Sequence, residues 1–114
     1  MTQPRLIDSP LFNLVREENI EAFNEEKRQS GAVDFTNGDF RGLDLRGLDA
    51  KSVDFTDAYF RSADLRGIDF REASLEGASL AHAQISGAYF PVELSADEIL
   101  MSVNFGTRLR YRTK

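Results

Sequence analysis

From Val33 to Val92 the chain sets a large apolar residue at every fifth position: Phe35, Phe40, Leu45, Phe55, Phe60, Leu65, Phe70, Leu75, Leu80, Ile85 and Phe90, with small Ala50 the exception. Two places before each stands a smaller apolar residue or a glycine, from Val33 and Gly38 through Ala83 and Ala88. The residue between is usually acidic, the one after the centre often Arg or Lys, and the one after that Gly, Ser, Asn, Asp or another residue that tolerates a corner. A period of five belongs to neither a helix nor a flat strand. It suits a chain that turns a corner every five residues and points its apolar pair at an inner axis. Units of this kind cannot bury their apolar face alone, so they stack into a solenoid.

The repeat resembles the A-(D/N)-L-x-x motif of the pentapeptide-repeat family, and Ala63-Asp64-Leu65-Arg66-Gly67 is a near-ideal copy. The resemblance covers twelve consecutive repeats, over half of the chain. It implies an all-β solenoid: a right-handed quadrilateral β-helix with four pentapeptides per coil, hence about three coils over residues 33–92. Residues twenty apart then stack: Phe35, Phe55 and Leu75 on side one; Phe40, Phe60 and Leu80 on side two; Leu45, Leu65 and Ile85 on side three; Ala50, Phe70 and Phe90 on side four. Leu43 and Leu48 stand where other repeats have alanine and restore part of the volume missing at Ala50. Three coils at the strand spacing make a rod only ~15 Å tall.

The flanks carry helical signals. Met1 to Asp8 reads as a loose lead, and Ser9-Pro10 as a helix start, with Ser as N-cap and Pro at the first helical position. Leu11, Phe12, Leu14, Val15, Ile20, Ala22 and Phe23 spread too widely for one apolar stripe, so two helices are expected, over 10–17 and 20–29. Asn19 would end the first, and Ser30-Gly31 the second. After Val92 the sequence Ser95-Ala96-Asp97-Glu98 has capping-box form, Ile99, Leu100, Met101 and Val103 supply an apolar face, and Gly106 is placed to stop the helix. Residues 107–114 alternate as a half-exposed strand does. The expected organisation is an N-terminal helical cap at 1–32, the repeats at 33–92, and a C-terminal helical cap with basic tail at 93–114, all one structural domain. The Phe90-Pro91 to Ile99 stretch and Gly106-Thr107-Arg108-Leu109-Arg110 also resemble small bacterial pentapeptide-repeat proteins of unassigned function.

The net charge of −5 is spread as −2 over residues 1–32, −4 over 33–92 and +1 over 93–114, without the basic footprint of a nucleic-acid-binding domain. There is no cysteine, so no disulfide framework or thiolate chemistry. The single histidine, His82, falls at a corner and has no second imidazole to share a metal or activate a nucleophile. The repeat glycines are turn and packing residues, and neither a P-loop nor a dinucleotide fingerprint is present. No catalytic residue, metal, cofactor or small-molecule substrate is expected. Met1 to Leu11 lacks a signal pattern and no apolar run approaches membrane-spanning length, so a cytoplasmic protein without membrane contact is expected.

Two function classes follow. The first is a non-enzymatic interaction or scaffold module. The second comes from the resemblance, since some family members mimic duplex DNA and bind gyrase or another topoisomerase. Against it, acids on three sides are followed by bases (Asp39 and Arg41, Asp44 and Arg46, Asp64 and Arg66, Asp49 and Lys51, Asp69 and Arg71), which dilutes a mimic's field. Side one differs: its outward rows, with Asp34, Asp54 and Glu76, and its corner acids Asp57 and Glu72 include no basic residue. That strip is the candidate surface for a basic partner protein, or for the Arg108, Arg110, Arg112 and Lys114 tail of a second copy in a homodimer.

Overall fold

The computed structural model describes residues 9–112; the lead at 1–8 and the end of the tail, with Lys114, lie outside the described residues. Its centre is a β-helix solenoid. Strands β1 (Val33–Asp34) and β2 (Val53–Asp54) pair in parallel with Val33 opposite Val53. Single parallel bridges repeat the same twenty-residue offset: Asp39 with Tyr59, Asp44 with Asp64, Asp54 with Ser74, Tyr59 with Ser79, Asp64 with Gln84, and Asp69 with Tyr89. Strand segments are this short because every fifth residue leaves for a corner.

Each corner is closed by one hydrogen bond, from the N–H of the small residue to the carbonyl of the preceding centre, as in Gly38 to Phe35 at 3.0 Å and Ala58 to Phe55 at 2.9 Å. The residue before the donor takes positive φ, from 57° at His82 to 86° at Gly47, which is the type II turn geometry. Asn37, Ser52, Asp57, Ser62 and His82 accept this conformation without being glycine; Glu72 is the corner that does not adopt it. Gly77 has a further constraint, since a Cβ there would run into the Asp57 carboxylate one coil below.

The corners aim the apolar centres inward, and those from Phe35 to Leu80 are all buried. Rings stack along the expected sides: Phe40 on Phe60 with centroids 5.2 Å apart, Phe70 on Phe90 at 5.9 Å, and Phe35 against Phe55 at 6.0 Å. At the small Ala50, Leu48 is buried and Leu43 half-buried, as the volume argument requires. Ile85 and Phe90 depart from expectation. They are only half-buried, because no further repeat stacks on them.

Helices α1 (Pro10–Arg16) and α2 (Ile20–Ser30) lie against the first repeats. Ser9 Oγ accepts from Phe12 N at 3.0 Å, and the Phe12 ring packs on Phe35 and Phe40 at 5.6 and 5.4 Å. Phe23 joins Phe35 at 5.8 Å. The break between the helices corrects the sequence reading: Glu18 holds the left-handed conformation (φ 59°), while Asn19 starts α2 by accepting from Ala22 N. Helix α3 (Ala96–Phe105) starts at Ser95, whose Oγ accepts from Glu98 N at 3.2 Å, and ends at Gly106 (φ 74°). The capping box is not reciprocal, because the Glu98 carboxylate binds Arg110 instead. The α3 face is also corrected. Ile99 and Val103 turn inward, whereas Leu100 and Met101 are 52% and 41% exposed, since α3 covers only part of the last repeats.

Candidate functional site

The outward ladders are built from a device used at the seven repeats that have aspartate before the centre. Oδ1 of the aspartate before each centre accepts the backbone N–H two residues on: Asp34 from Thr36, Asp39 from Arg41, Asp44 from Arg46, Asp49 from Lys51, Asp54 from Thr56, Asp64 from Arg66 and Asp69 from Arg71. This is the Asx turn, and it holds the corner in place. Sequence reading took these acids for surface charge and missed the backbone bond, although aspartate two places before a turn is its signal.

Where the next residue is arginine, the guanidinium folds back onto the same carboxylate in a two-pronged grip. Arg46 Nε and Nη2 donate to Asp44 at 2.9 and 2.8 Å, and Arg41, Arg66 and Arg71 repeat the arrangement on Asp39, Asp64 and Asp69. Arg46 also reaches Asp64 in the next coil at 3.3 Å. These donated bonds hold Asp39 and Asp64 below the usual carboxylate range, and Asp44 and Asp69 at about 2. The pairing expected between Asp49 and Lys51 is not the one formed. The ammonium at Asp49 is that of Lys27, 3.3 Å away and only 7% exposed, brought there because Lys27 shares the inward face of α2 with Phe23 one turn earlier.

A pH dependence follows. A folded pKa of about 2 in place of the ordinary 3.8 stabilises the protein above the ordinary value, and the contribution is lost as pH falls through the folded one. The expected melting temperature is therefore level down to pH ~4 and falls towards pH ~2, with a shallower fall in an Arg46→Gln/Arg71→Gln variant. The pairs are exposed, so the effect of each is small. Equal slopes in thermal melts of the two proteins would remove the grips as its cause.

Side one carries Thr36 and Thr56 where the other sides carry arginine or lysine. Thr56 Oγ1 and Ser74 Oγ share a hydrogen bond of 2.9 Å, and Thr36 Oγ1 donates to Asp34 at 2.7 Å. The strip is nevertheless not without a base, as its sequence neighbours implied. Residues 107–111 return across it, with Arg108 bridging antiparallel to Ser79. The Arg108 guanidinium lies 4.0 Å from Asp57, donates to Gly77 O and Tyr59 Oη, and sits over the Tyr59 ring. Tyr111 N donates to Glu76 Oε2 at 2.8 Å. The structure thus brings Asp57 and Glu76 together with the tail of their own chain. Glu72 is exposed at its corner beside Arg71.

Arg110 grips Glu98 through Nε and Nη2 at 3.0 and 3.2 Å, holding that carboxyl below its ordinary value, and Arg112 donates to Val92 O. Each described arginine of the tail is therefore engaged within the chain. The tail and α3 together also finish the backbone of side one and side two. Tyr111 Oη accepts from Leu75 N, Leu109 O from Gly77 N, the fully buried Ser102 Oγ from Leu80 N, and Val103 O from His82 N. Burial pushes the Tyr111 phenol up. No spacing in the sequence marks Ser102 or Tyr111 for this work.

Elsewhere, an open hollow between α1 and α2 is lined by Pro10, Leu11, Leu14, Ala22 and Glu26. Among the described residues, no three His, Asp or Glu are placed to hold a metal ion, and no helix is long and apolar enough to cross a membrane. A family model described as Pentapeptide repeats matches residues 32–67 and 54–90, in eight copies. In the other two comparisons, no curated protein and no solved structure matches the chain.

Proposed function

The chain belongs to the pentapeptide-repeat family of β-helix repeat proteins, and from that premise we propose that it is a non-enzymatic protein-interaction module that presents side one to a basic surface of a partner protein. In this reading the β-helix has three right-handed, four-sided coils over 33–92, the segments 1–32 and 93–114 cap its ends, and the whole folds as one unit. One apolar core running from Phe12 to Leu109 supports the single unit. The observation that carries the functional reading is the contrast between sides. On the other three, the aspartates have a guanidinium or ammonium against them; on side one, Asp54 is hydrogen-bonded to the Thr56 N–H and lies in a row with Asp34, ahead of the Asp57 corner. A rigid acid such as Asp54, without such a grip among the described residues, attracts and steers a complementary cation.

The topoisomerase reading has less support. The molecule measures 34 Å in its longest extent, about one turn of duplex, and arginine grips neutralise the carboxylates that a mimic would have to display.

Fluorescence anisotropy with a labelled oligolysine peptide tests the strip. The expected result is salt-sensitive binding that weakens by about tenfold or more in an Asp54→Asn/Asp57→Asn/Glu76→Gln variant. The amide replacements retain the oxygens that accept from Thr56 N and Tyr111 N, so folding is preserved. Equal affinity for the two proteins overturns the assignment.

A further inference from the structure

The sides of the solenoid differ in charge, and side two has the sign opposite to that of the chain. Its repeats, at 38–42, 58–62 and 78–82, hold one carboxylate, Asp39, against the two guanidiniums of Arg41 and Arg61. Sides three and four balance acids with bases, and side one with its corners carries acids alone. The excess on side two has a structural cause. In the second coil Tyr59 takes the outward position that Asp39 holds in the first, and its hydroxyl accepts from Arg108 Nη2 at 2.9 Å. Arg61, two residues on, therefore has no carboxylate to fold back onto. It is exposed and makes no ion pair or side-chain hydrogen bond among the described residues.

Further cations border it. Arg41 lies one coil below in the same row, since Gly42 N donates to Arg61 O at 2.8 Å, and adjacent rows of a ladder are ~4.8 Å apart. Arg41 grips Asp39, and Arg16 at the end of α1 acts on the same carboxyl; both hold it below its ordinary value, the Arg41 bond more strongly. On the other side the row continues to Ala81, whose carbonyl accepts from Ser62 N, with His82 exposed at the next corner. Asp57, at the corner shared with side one, already has the Arg108 guanidinium 4.0 Å away.

We propose that side two binds an acidic peptide segment of a partner protein, with one carboxylate of that segment seated on Arg61. A planar guanidinium with no internal partner presents a fork that takes a carboxylate through two parallel bonds. The chain forms this pairing four times on its own aspartates, so the geometry is one that its surface accommodates. A second carboxylate two residues along an extended segment falls ~7 Å further on, within reach of Arg41 and Arg16, which have one acid between them. The flanking sides limit the width of the partner. They carry Asp54 and Asp57 on one hand and Asp44 and Asp64 on the other, so a phosphate backbone broader than this side meets carboxylates and is repelled. The proposal makes no use of the acidic strip and stands independently of it.

Fluorescence anisotropy of a labelled oligoglutamate peptide with the full chain tests it. The expected result is binding that weakens between about 0.05 and 0.5 M salt, and by about fivefold or more in Arg61→Gln. Arg61→Lys, which keeps the charge but not the fork, should fall between the two. The side chain is exposed, and an unchanged melt of each variant verifies that it folds. The Asp54→Asn/Asp57→Asn/Glu76→Gln variant should bind the peptide at least as tightly as the wild type, because it loses only acids. No binding at low salt overturns the proposal, as does equal affinity in Arg61→Gln. So does a labelled oligothymidylate of the same length that binds as tightly as the peptide and weakens equally in Arg61→Gln, because the surface would then be one for nucleic acid.

Discussion

Phe55→Ala is expected to cost about 3–5 kcal/mol in chemical denaturation, a large share of the stability of so small a protein. Phe55 is fully buried, and its ring touches four others: Phe35 at 6.0 Å, Phe40 at 5.4 Å, Phe60 at 5.3 Å and Phe70 at 6.0 Å. Neighbours cannot collapse into the space left behind, because each is held by its own corner hydrogen bond and by parallel bonds to the coil beside it. The cavity therefore persists, and its cost adds to the lost transfer energy. Arg61→Ala is the control. Its exposed side chain lies outside the corners, and the expected change is under about 0.5 kcal/mol. Equal, small losses in the two variants would show that the inward assignment of the centres is wrong.

Deleting residues 1–30 is expected to have a still larger effect, since Phe12, Val15 and Phe23 are all buried and together represent on the order of 5–9 kcal/mol of apolar burial. The deletion also removes Glu18 and Asn24 from the amides of Asp44 and Asp49, and Lys27 from Asp49. Bare Phe35 and Phe40 rings would then lie next to unpaired backbone, the combination that drives edge-to-edge association. Sedimentation and thermal melting of the truncated chain measure both consequences. A truncated chain that stays monomeric and melts with the intact protein would mean that the helices are no cap, and would move them to the side of partner binding.

These expectations rest on unequal parts of what a sequence can say. The five-residue period was enough to assign Phe35 to Leu80 inward and to locate the corners, because each is a local matter: one hydrogen bond, one residue tolerant of positive φ, one inward side chain. The arginine grips were legible for the same reason, since Asp39 and Arg41 stand two residues apart and meet through a single turn. The strip on side one was legible as a row of acids, but not its contact with Arg108, which comes from far along the chain and arrives only because the tail folds back.

A repeat rule is identical at every repeat, so it contains nothing about what lies beyond the first and the last. The flanking helices were legible from their own caps, but what they and the tail touch was decided by tertiary structure. Lys27 is buried against Asp49, Ser102 serves the Leu80 amide, and Tyr111 serves Leu75, each across a separation that no spacing encodes. Ile85 and Phe90 obey the same five-residue rule as Leu65 and Phe70 yet remain half-buried, and Leu100 and Met101 sit in an apolar helical stretch yet face outward. Burial depends on what stacks above a residue, and over residues 83–92 the chain stacks no further coil.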